Sequence, residues 1–380
     1  MQTAWEEENR RPLAIDKNLI ESTPLTAMKT DHEHSFGRYL LLCLGTALCI
    51  CAAVELACVS FGVAPLFTPN LPLNEKMRFI REHRPGPAPI SVISGASVAL
   101  NDIDSDLLED EDEHPFINLG ANGISVPSAE ELYKEFAALY PVREVIFAAD
   151  PLEMRDTYRT DVEVPPSVFR RYVLGRMTMV EEFKYRDISG LMSYWNNWRD
   201  YHSRSAPTSL VFSKTGAVPL EFGRDTADPK AWSGETIDPD VSCLHCVDDL
   251  ARFCREVRAE GRAFTVVLGP IRPEVLARMP RVQAVDVDRR ARIQTVLQGC
   301  GGSLFDITDY ATLDDACFAN SVHLNAFGMS AMTEKFVRFR RGELIARRMP
   351  LPCGASPVAL GPSAGQGRTA LNQTRVIAAK

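Results

Sequence analysis

The chain's 380 residues include 42 Lys and Arg against 50 Asp and Glu, giving a net charge of −8 and a pI near 5.5. That balance excludes a general nucleic-acid binder, which needs a basic face to displace counterions from phosphates. A hydrophobic fraction of 45% is enough for a folded domain with a substantial core, and no internal repeat divides the chain.

Residues 1–38 are polar and charged without sustained periodicity and read as a disordered tail. Residues 39–64 are then apolar, with Glu55 as the only acidic or basic side chain. Twenty-six residues at about 1.5 Å each exceed a hydrocarbon core of about 30 Å, which predicts a transmembrane signal-anchor helix. A cleaved signal peptide is the alternative, but its apolar region runs only about 7–15 residues. The flanking charges oppose an external C-terminus: Lys29 and Arg38 precede the span, whereas Lys76, Arg78, Arg81 and Arg84 follow it. Glu55 is costly facing lipid, so it either meets a partner helix or lies near the interface.

Residues 65–87 read as a neck, helical between two proline-rich stretches. From residue 88 short apolar runs alternate with amphipathic ones. Ile90–Ile93, Phe116–Leu119, Glu144–Phe147, Phe264–Leu268 and Ser303–Asp306 are predicted as buried strands, with helices at 127–140, 246–260, 285–299 and 328–344. Alternating β and α implies an α/β domain over 88–348, a parallel sheet with helices on both faces. An insert at about 151–242, helical near 166–200 and with a hairpin at Leu210–Phe222, is expected over the strand ends. Residues 349–380 read as a second flexible tail.

Ligands of open α/β sheets bind at the carboxyl ends of the strands, so the residues just after each run are candidates. Ser94-Gly95-Ala96-Ser97 follows the first strand and presents Ser97 on a tight turn. Asn118-Leu119-Gly120-Ala121-Asn122-Gly123 follows the second, where glycines bring backbone N–H groups near a developing oxyanion. Asn320-Ser321-Val322-His323-Leu324-Asn325 precedes the last helix. Singly, each also reads as an ordinary polar turn or a structural histidine.

Taken in order, these three motifs resemble the SGNH (GDSL-like) hydrolase family over about residues 88–345. They are most similar to its membrane-anchored branch, which includes cell-envelope D-alanylation proteins and alginate O-acetyltransferase-like proteins. The resemblance implies a flavodoxin-like three-layer α/β/α domain with Ser97 as nucleophile, His323 as general base, and the N–H groups of Ser97 and Gly123 as oxyanion donors. It also implies an acyl donor, a polysaccharide or glycan acceptor, and a multi-pass membrane O-acyltransferase as partner, with the domain periplasmic or otherwise outside the cytoplasm.

The chain departs from the family twice. Asn320 stands where members carry an Asp three residues before the histidine. Asparagine can orient the ring but cannot offset a full positive charge; Asp306, Asp309, Asp314 and Asp315 are the nearby acids that could substitute. Ala148-Ala149-Asp150-Pro151 stands where hydrolytic members often supply an oxyanion-hole asparagine, and an ionised Asp150 can only accept. Two readings follow: a serine O-acyltransferase or esterase, or a catalytically impaired subunit that binds glycan or scaffolds a membrane acyltransferase complex.

No cofactor motif or complete metal-ligand set is present. Cys243-Leu244-His245-Cys246 has the spacing of half a zinc site but lacks the second pair. Cys243, Cys246, Cys254, Cys300, Cys317 and Cys353 are an even six outside the span, compatible with disulfides in an oxidising compartment. The acidic run 102–113 lacks the order of a calcium-binding loop and reads as solvated.

Overall fold

The computed structural model describes residues 29–61, 63–152, 166–186, 188–204, 208–221, 245–344 and 349–351. It divides into two units, Met1–Phe61 and Gly62–Lys380. In the first, helix α1 spans Lys29–Ser60, and its Phe36–Ser60 portion is long and apolar enough, by length and composition, to cross a membrane. The helix stops four residues short of the predicted Ala64. Pro65 disfavours helical backbone at the residue before it, and Ala64 is buried in the second unit, where its N–H donates to Glu75 Oε1 at 3.3 Å.

The five expected strands form in the second unit: β1 (Ile90–Gly95), β2 (Phe116–Asn118), β3 (Val142–Ala149), β4 (Ala263–Leu268) and β5 (Ser303–Asp306). They make one parallel sheet in the order β2-β1-β3-β4-β5. Side chains alternate between its two faces, as the strand period of two requires. Ile90, Val92, Val145, Phe147, Phe264 and Val266 join one buried cluster; Ile93, Ile146 and Val267 join the other.

Helices cover both faces and complete three α/β/α layers. The first cluster takes in α2 (Leu71–Glu82), α5 (Val126–Ala137), α6 (Pro166–Val173), α10 (His245–Ala259) and the carboxyl part of α12 (Pro280–Cys300). The second takes in α3 (Ser97–Asn101), α4 (Ser105–Asp112) and α14 (Ala326–Arg340). Between these lie α7 (Met179–Phe183), α8 (Ile188–Asn196) and α9 (Trp198–Tyr201) of the insert, α11 (Pro273–Arg278) and α13 (Ile307–Tyr310). The Cys254–Cys300 disulfide ties α10 to α12 across a Cα separation of 6.1 Å. Cys246 and Cys317 are also disulfide-bonded, whereas Cys43, Cys49 and Cys51 are free. Cys243 and Cys353 lie outside the described residues.

Four expectations need correction. The folded unit does not begin after the neck: α2 buries Leu73, Met77 and Ile80 in the first cluster. Its fully buried Lys76 donates to the carbonyls of Asn118 and Gly216, with the Phe212 ring 4.5 Å from its nitrogen. No hairpin strands form at 208–221. One tight bond closes the turn, Ser213 N–H to Ala217 O at 2.7 Å, and the segment pairs elsewhere: Val218 N–H donates to Leu100 O, and Thr215 O, within the turn, accepts from Asn118 N–H. Phe222 lies outside the described residues.

The acidic run is no solvated loop. It contains α4, capped by Asp104, and its acids have partners: Asp106 accepts from Thr215 N, Asp110 pairs with Lys214, Glu111 with Arg341 and Asp112 with Arg340. The start of the supposed second tail, Met349–Leu351, forms strand β7, which pairs in parallel with β6 (Ala311–Leu313).

Beneath the amino end of β1, Ser91 Oγ lies 2.6 Å from His114 Nε2 and donates to Glu144 Oε1 at 2.5 Å. Arg340 clamps Glu144 with two bonds of 2.8 and 2.9 Å. Burial acts to raise the Glu144 pKa, but the Arg340 bonds and charge outweigh it, aided by Ser91, and hold the carboxyl below its usual range.

Candidate active site

β1 and β3 flank the point where strand order reverses, the usual ligand crevice of such sheets. The chain leaves β1 through Gly95, whose φ of +137° favours glycine; a Cβ there would lie 2.2 Å from Ala148 O. This crossing delivers Ser97 to the first position of α3, partly exposed, with Val98, Ala99 and Leu100 buried behind it.

The loop after β2 runs beside the same edge. Leu119 N–H donates to Ile93 O at 2.8 Å and Ala121 N–H to Gly95 O at 3.4 Å. Gly120 permits a close approach, since a Cβ would sit 2.7 Å from Leu100 N. Asn118 locks loop to helix: its Nδ2 donates to Ala99 O at 2.6 Å and its Oδ1 accepts from Gly120 N–H at 2.8 Å. The Gly120 amide is thereby committed to Asn118. Gly123 occupies the following turn at φ +72°.

The third segment folds back on itself. Phe318 and Leu324 form an antiparallel bridge, Ala319 N–H donates to His323 O at 2.8 Å, and Asn325 caps α14 by accepting from Phe327 and Gly328 N–H. This tight loop brings His323 Nε2 to 2.7 Å from Ser97 Oγ, across 226 positions of sequence. Asn320 stands at the other ring nitrogen, its Oδ1 2.9 Å and its Nδ2 2.7 Å from His323 Nδ1.

The amide orientation follows from its other partners. Oδ1 also accepts from Val322 N–H at 3.1 Å and His323 N–H at 2.8 Å, which turns the oxygen toward the backbone and leaves the amide nitrogen beside the ring. Two tautomers compete in consequence. With the proton on Nδ1 donating to Oδ1, Nε2 is free to accept from Ser97. With Nδ2 donating to Nδ1, Nε2 carries the proton and donates to Ser97, which cannot then be activated by it. A carboxylate in place of Asn320 accepts only and selects the first state. Burial pushes the His323 pKa down to about 4, so the imidazole is neutral at pH 7.

The other nearby acids do not take this place in their observed contacts. Asp306 accepts from Thr308 and pairs with Arg290 at 2.6 Å, Asp314 caps Ala316, and Asp315 pairs with Arg272 at 3.0 Å. Asp309 lies on α13. Asp150, buried after β3, accepts from Leu152 N–H at 2.6 Å through Oδ1.

Sequence reasoning missed Asp102, which it placed in the acidic loop. This residue is fully buried just after α3, and its Oδ1 accepts from Leu324 N–H at 3.0 Å. It thus couples the helix that starts with Ser97 to the residue after His323. Its alternation with Asp104 and Asp106 gave no signal of this, because the bond spans 222 positions.

No family profile matches the chain, and no curated protein does. Solved structures similar to it include a lipase/acylhydrolase from Enterococcus faecalis, 11% identical over 69% of this chain and 100% of that one, TM-score 0.34. A carbohydrate acetylesterase family member from Sinorhizobium meliloti is 11% identical over 68% and 99%, TM-score 0.33. The native aryl esterase of M. smegmatis is 10% identical over 68% and 100%, TM-score 0.32. Identities this low leave the chemistry to be read from the site itself.

Proposed function

We propose that the chain is a membrane-anchored SGNH-like serine esterase or O-acyltransferase. The observation that carries this reading is the 2.7 Å contact of His323 Nε2 with Ser97 Oγ, with Asn320 at the opposite ring nitrogen. Ser97 Oγ bonds to an acyl carbonyl carbon while its proton passes to Nε2. The alcohol leaving group takes that proton, and water or a sugar hydroxyl then releases the acyl group. The N–H groups of Ser97 and Gly123 serve as oxyanion donors.

Cell-envelope or secreted polysaccharide is the acceptor class we infer, with a multi-pass membrane O-acyltransferase supplying the acyl donor. The domain's disulfides support placement outside the cytoplasm. Two observations favour a second reading, the impaired glycan-binding or scaffolding subunit: Asn320 in place of an acid, and Asp150 accepting where a donor would help.

Turnover of p-nitrophenyl acetate by the full chain in detergent separates the two. Catalysis predicts release that falls at least a thousandfold in Ser97→Ala. Equal, background release from both proteins, with and without the membrane partner, selects the scaffold.

A further inference from the structure

The insert exposes large apolar side chains where a soluble surface would normally be polar. On α8 and α9, Met192 is 55%, Trp195 56% and Trp198 46% exposed, and on α7 Met179 and Val180 reach 68% and 72%. Met192 and Trp195 are three residues apart and share one helix face, whereas Tyr194 turns inward and is buried. Trp198 is held in position: His202 stacks on it at 4.6 Å, and His202 Nδ1 lies 2.8 Å from its carbonyl oxygen.

The same insert is fastened to the residues that leave the span. Arg186 donates to Val63 O, Leu66 N–H donates to Tyr185 O at 2.9 Å, and the Phe67 ring meets Tyr172 at 4.7 Å and Tyr185 at 4.8 Å. Val63 and Leu66 follow Ser60, the end of the apolar helix, by three and six residues. At no more than about 3.6 Å per residue they lie within about 11 and 22 Å of that end. The insert is therefore fastened to residues that follow the apolar helix directly in the chain. Between residues 166 and 204 there are seven Lys or Arg and four Asp or Glu; Arg170, Arg171, Arg186 and Arg204 pair with glutamates, and the remaining net excess suits anionic headgroups.

We propose that this face of the insert, Met192, Trp195 and Trp198 with Met179 and Val180, seats in the headgroup and upper acyl region of the bilayer as a second membrane contact. Tryptophan, part apolar and part hydrogen-bonding, favours that depth. Exposed tryptophans and long apolar side chains on short helices, in a segment with a basic excess, are how an interfacial element reads. The inference rests on α1 spanning the membrane. Its consequence is that the α/β domain is pinned at two points instead of swinging on a tether.

The chain's other tryptophans, Trp5 and Trp232, lie outside the described residues, so the full chain carrying Trp5→Phe and Trp232→Phe reports on the patch alone. Reconstituted into phosphatidylcholine/phosphatidylglycerol vesicles, its emission should be blue-shifted. Phosphatidylcholine brominated at acyl carbons 6 and 7 should quench it at least twofold. Unquenched emission from protein that floats with the vesicles overturns the proposal while leaving the span intact. Blue-shifted, unquenched emission that varies with protein concentration also overturns it, in favour of a second copy. Failure to float overturns the span reading, and the proposal with it.

Discussion

Under the proposed function, one amide group at the site decides how well the histidine serves as a base. Asn320 offers His323 Nδ1 an oxygen and a nitrogen at nearly equal distances, so the productive tautomer must compete with an unproductive one. Asn320→Asp should raise kcat on an ester substrate at least tenfold, within the roughly 10⁴-fold that an Asp-to-Asn change costs in an unrelated serine protease. The pH profile should move as well. The base works only when deprotonated, so wild-type activity should rise with pH through about 4 and stay level to neutrality. A carboxylate stabilises the imidazolium and shifts that acid limb upward. Unchanged kcat and an unmoved limb would show that Asn320 does not set the state of His323.

Asp102 acts at one remove, through the backbone of Leu324. Asp102→Asn keeps an oxygen acceptor and should retain most activity. Asp102→Ala leaves the buried Leu324 N–H without it and should lower kcat tenfold or more with KM little changed. Equal loss in both variants would mean that the charge, not the acceptor, matters at that position.

Among the secondary elements, the five strands were legible because each is a short apolar run closed by turn residues, and burial on both faces keeps such runs apolar throughout. Ser97 and His323 were legible only as an ordered set of motifs, since the contact between them depends on strand order. What could not be read were cross-chain polar pairings. The 208–221 segment has hairpin composition, yet its turn bonds to β2 and the residue after it to α3; α4 looked solvated because the Lys and Arg that pair with its acids lie more than a hundred residues away. Lys76 posed the same difficulty, since nothing in a charged amphipathic stretch tells that one lysine is fully buried on two carbonyls.

The clamp of Arg340 on Glu144 joins α14 to the sheet in the same long-range way. Arg340→Met should cost about 3–5 kcal/mol in urea unfolding at pH 7, the usual loss when one member of a buried pair is removed. The Glu144 pKa is depressed in the folded chain, so the pair's contribution is present above about pH 4.3, the ordinary glutamate value, and is lost as pH falls through the folded pKa. The gap between wild type and variant should narrow over that acid range. A gap under 1 kcal/mol at pH 7 would contradict the assigned role.

Over the whole molecule, the charges flanking α1 and the thiol chemistry point in opposite directions. Three of the four basic residues after the span turn out to be committed within the folded unit: Lys76 is buried, Arg78 pairs with Glu75 at 2.6 Å and Arg81 with Glu182 at 2.6 Å. Their weight as a topology signal is correspondingly reduced. The Cys254–Cys300 bridge encloses 46 positions, and Cys254→Ser with Cys300→Ser should lower the unfolding free energy by about 2–4 kcal/mol. A loss within 0.5 kcal/mol of zero would mean that the bridge adds little to α10 and α12 packing.

All of this bears on function only if Ser97 is an activated nucleophile. Mass spectrometry after exposure to an alkyl fluorophosphonate measures that without knowledge of the acyl donor or the acceptor. The account predicts a single phosphonate on Ser97 of the wild-type chain, formed faster in Asn320→Asp and at least a hundredfold more slowly in His323→Ala. A Ser97 left unlabelled in both the wild type and Asn320→Asp would contradict it.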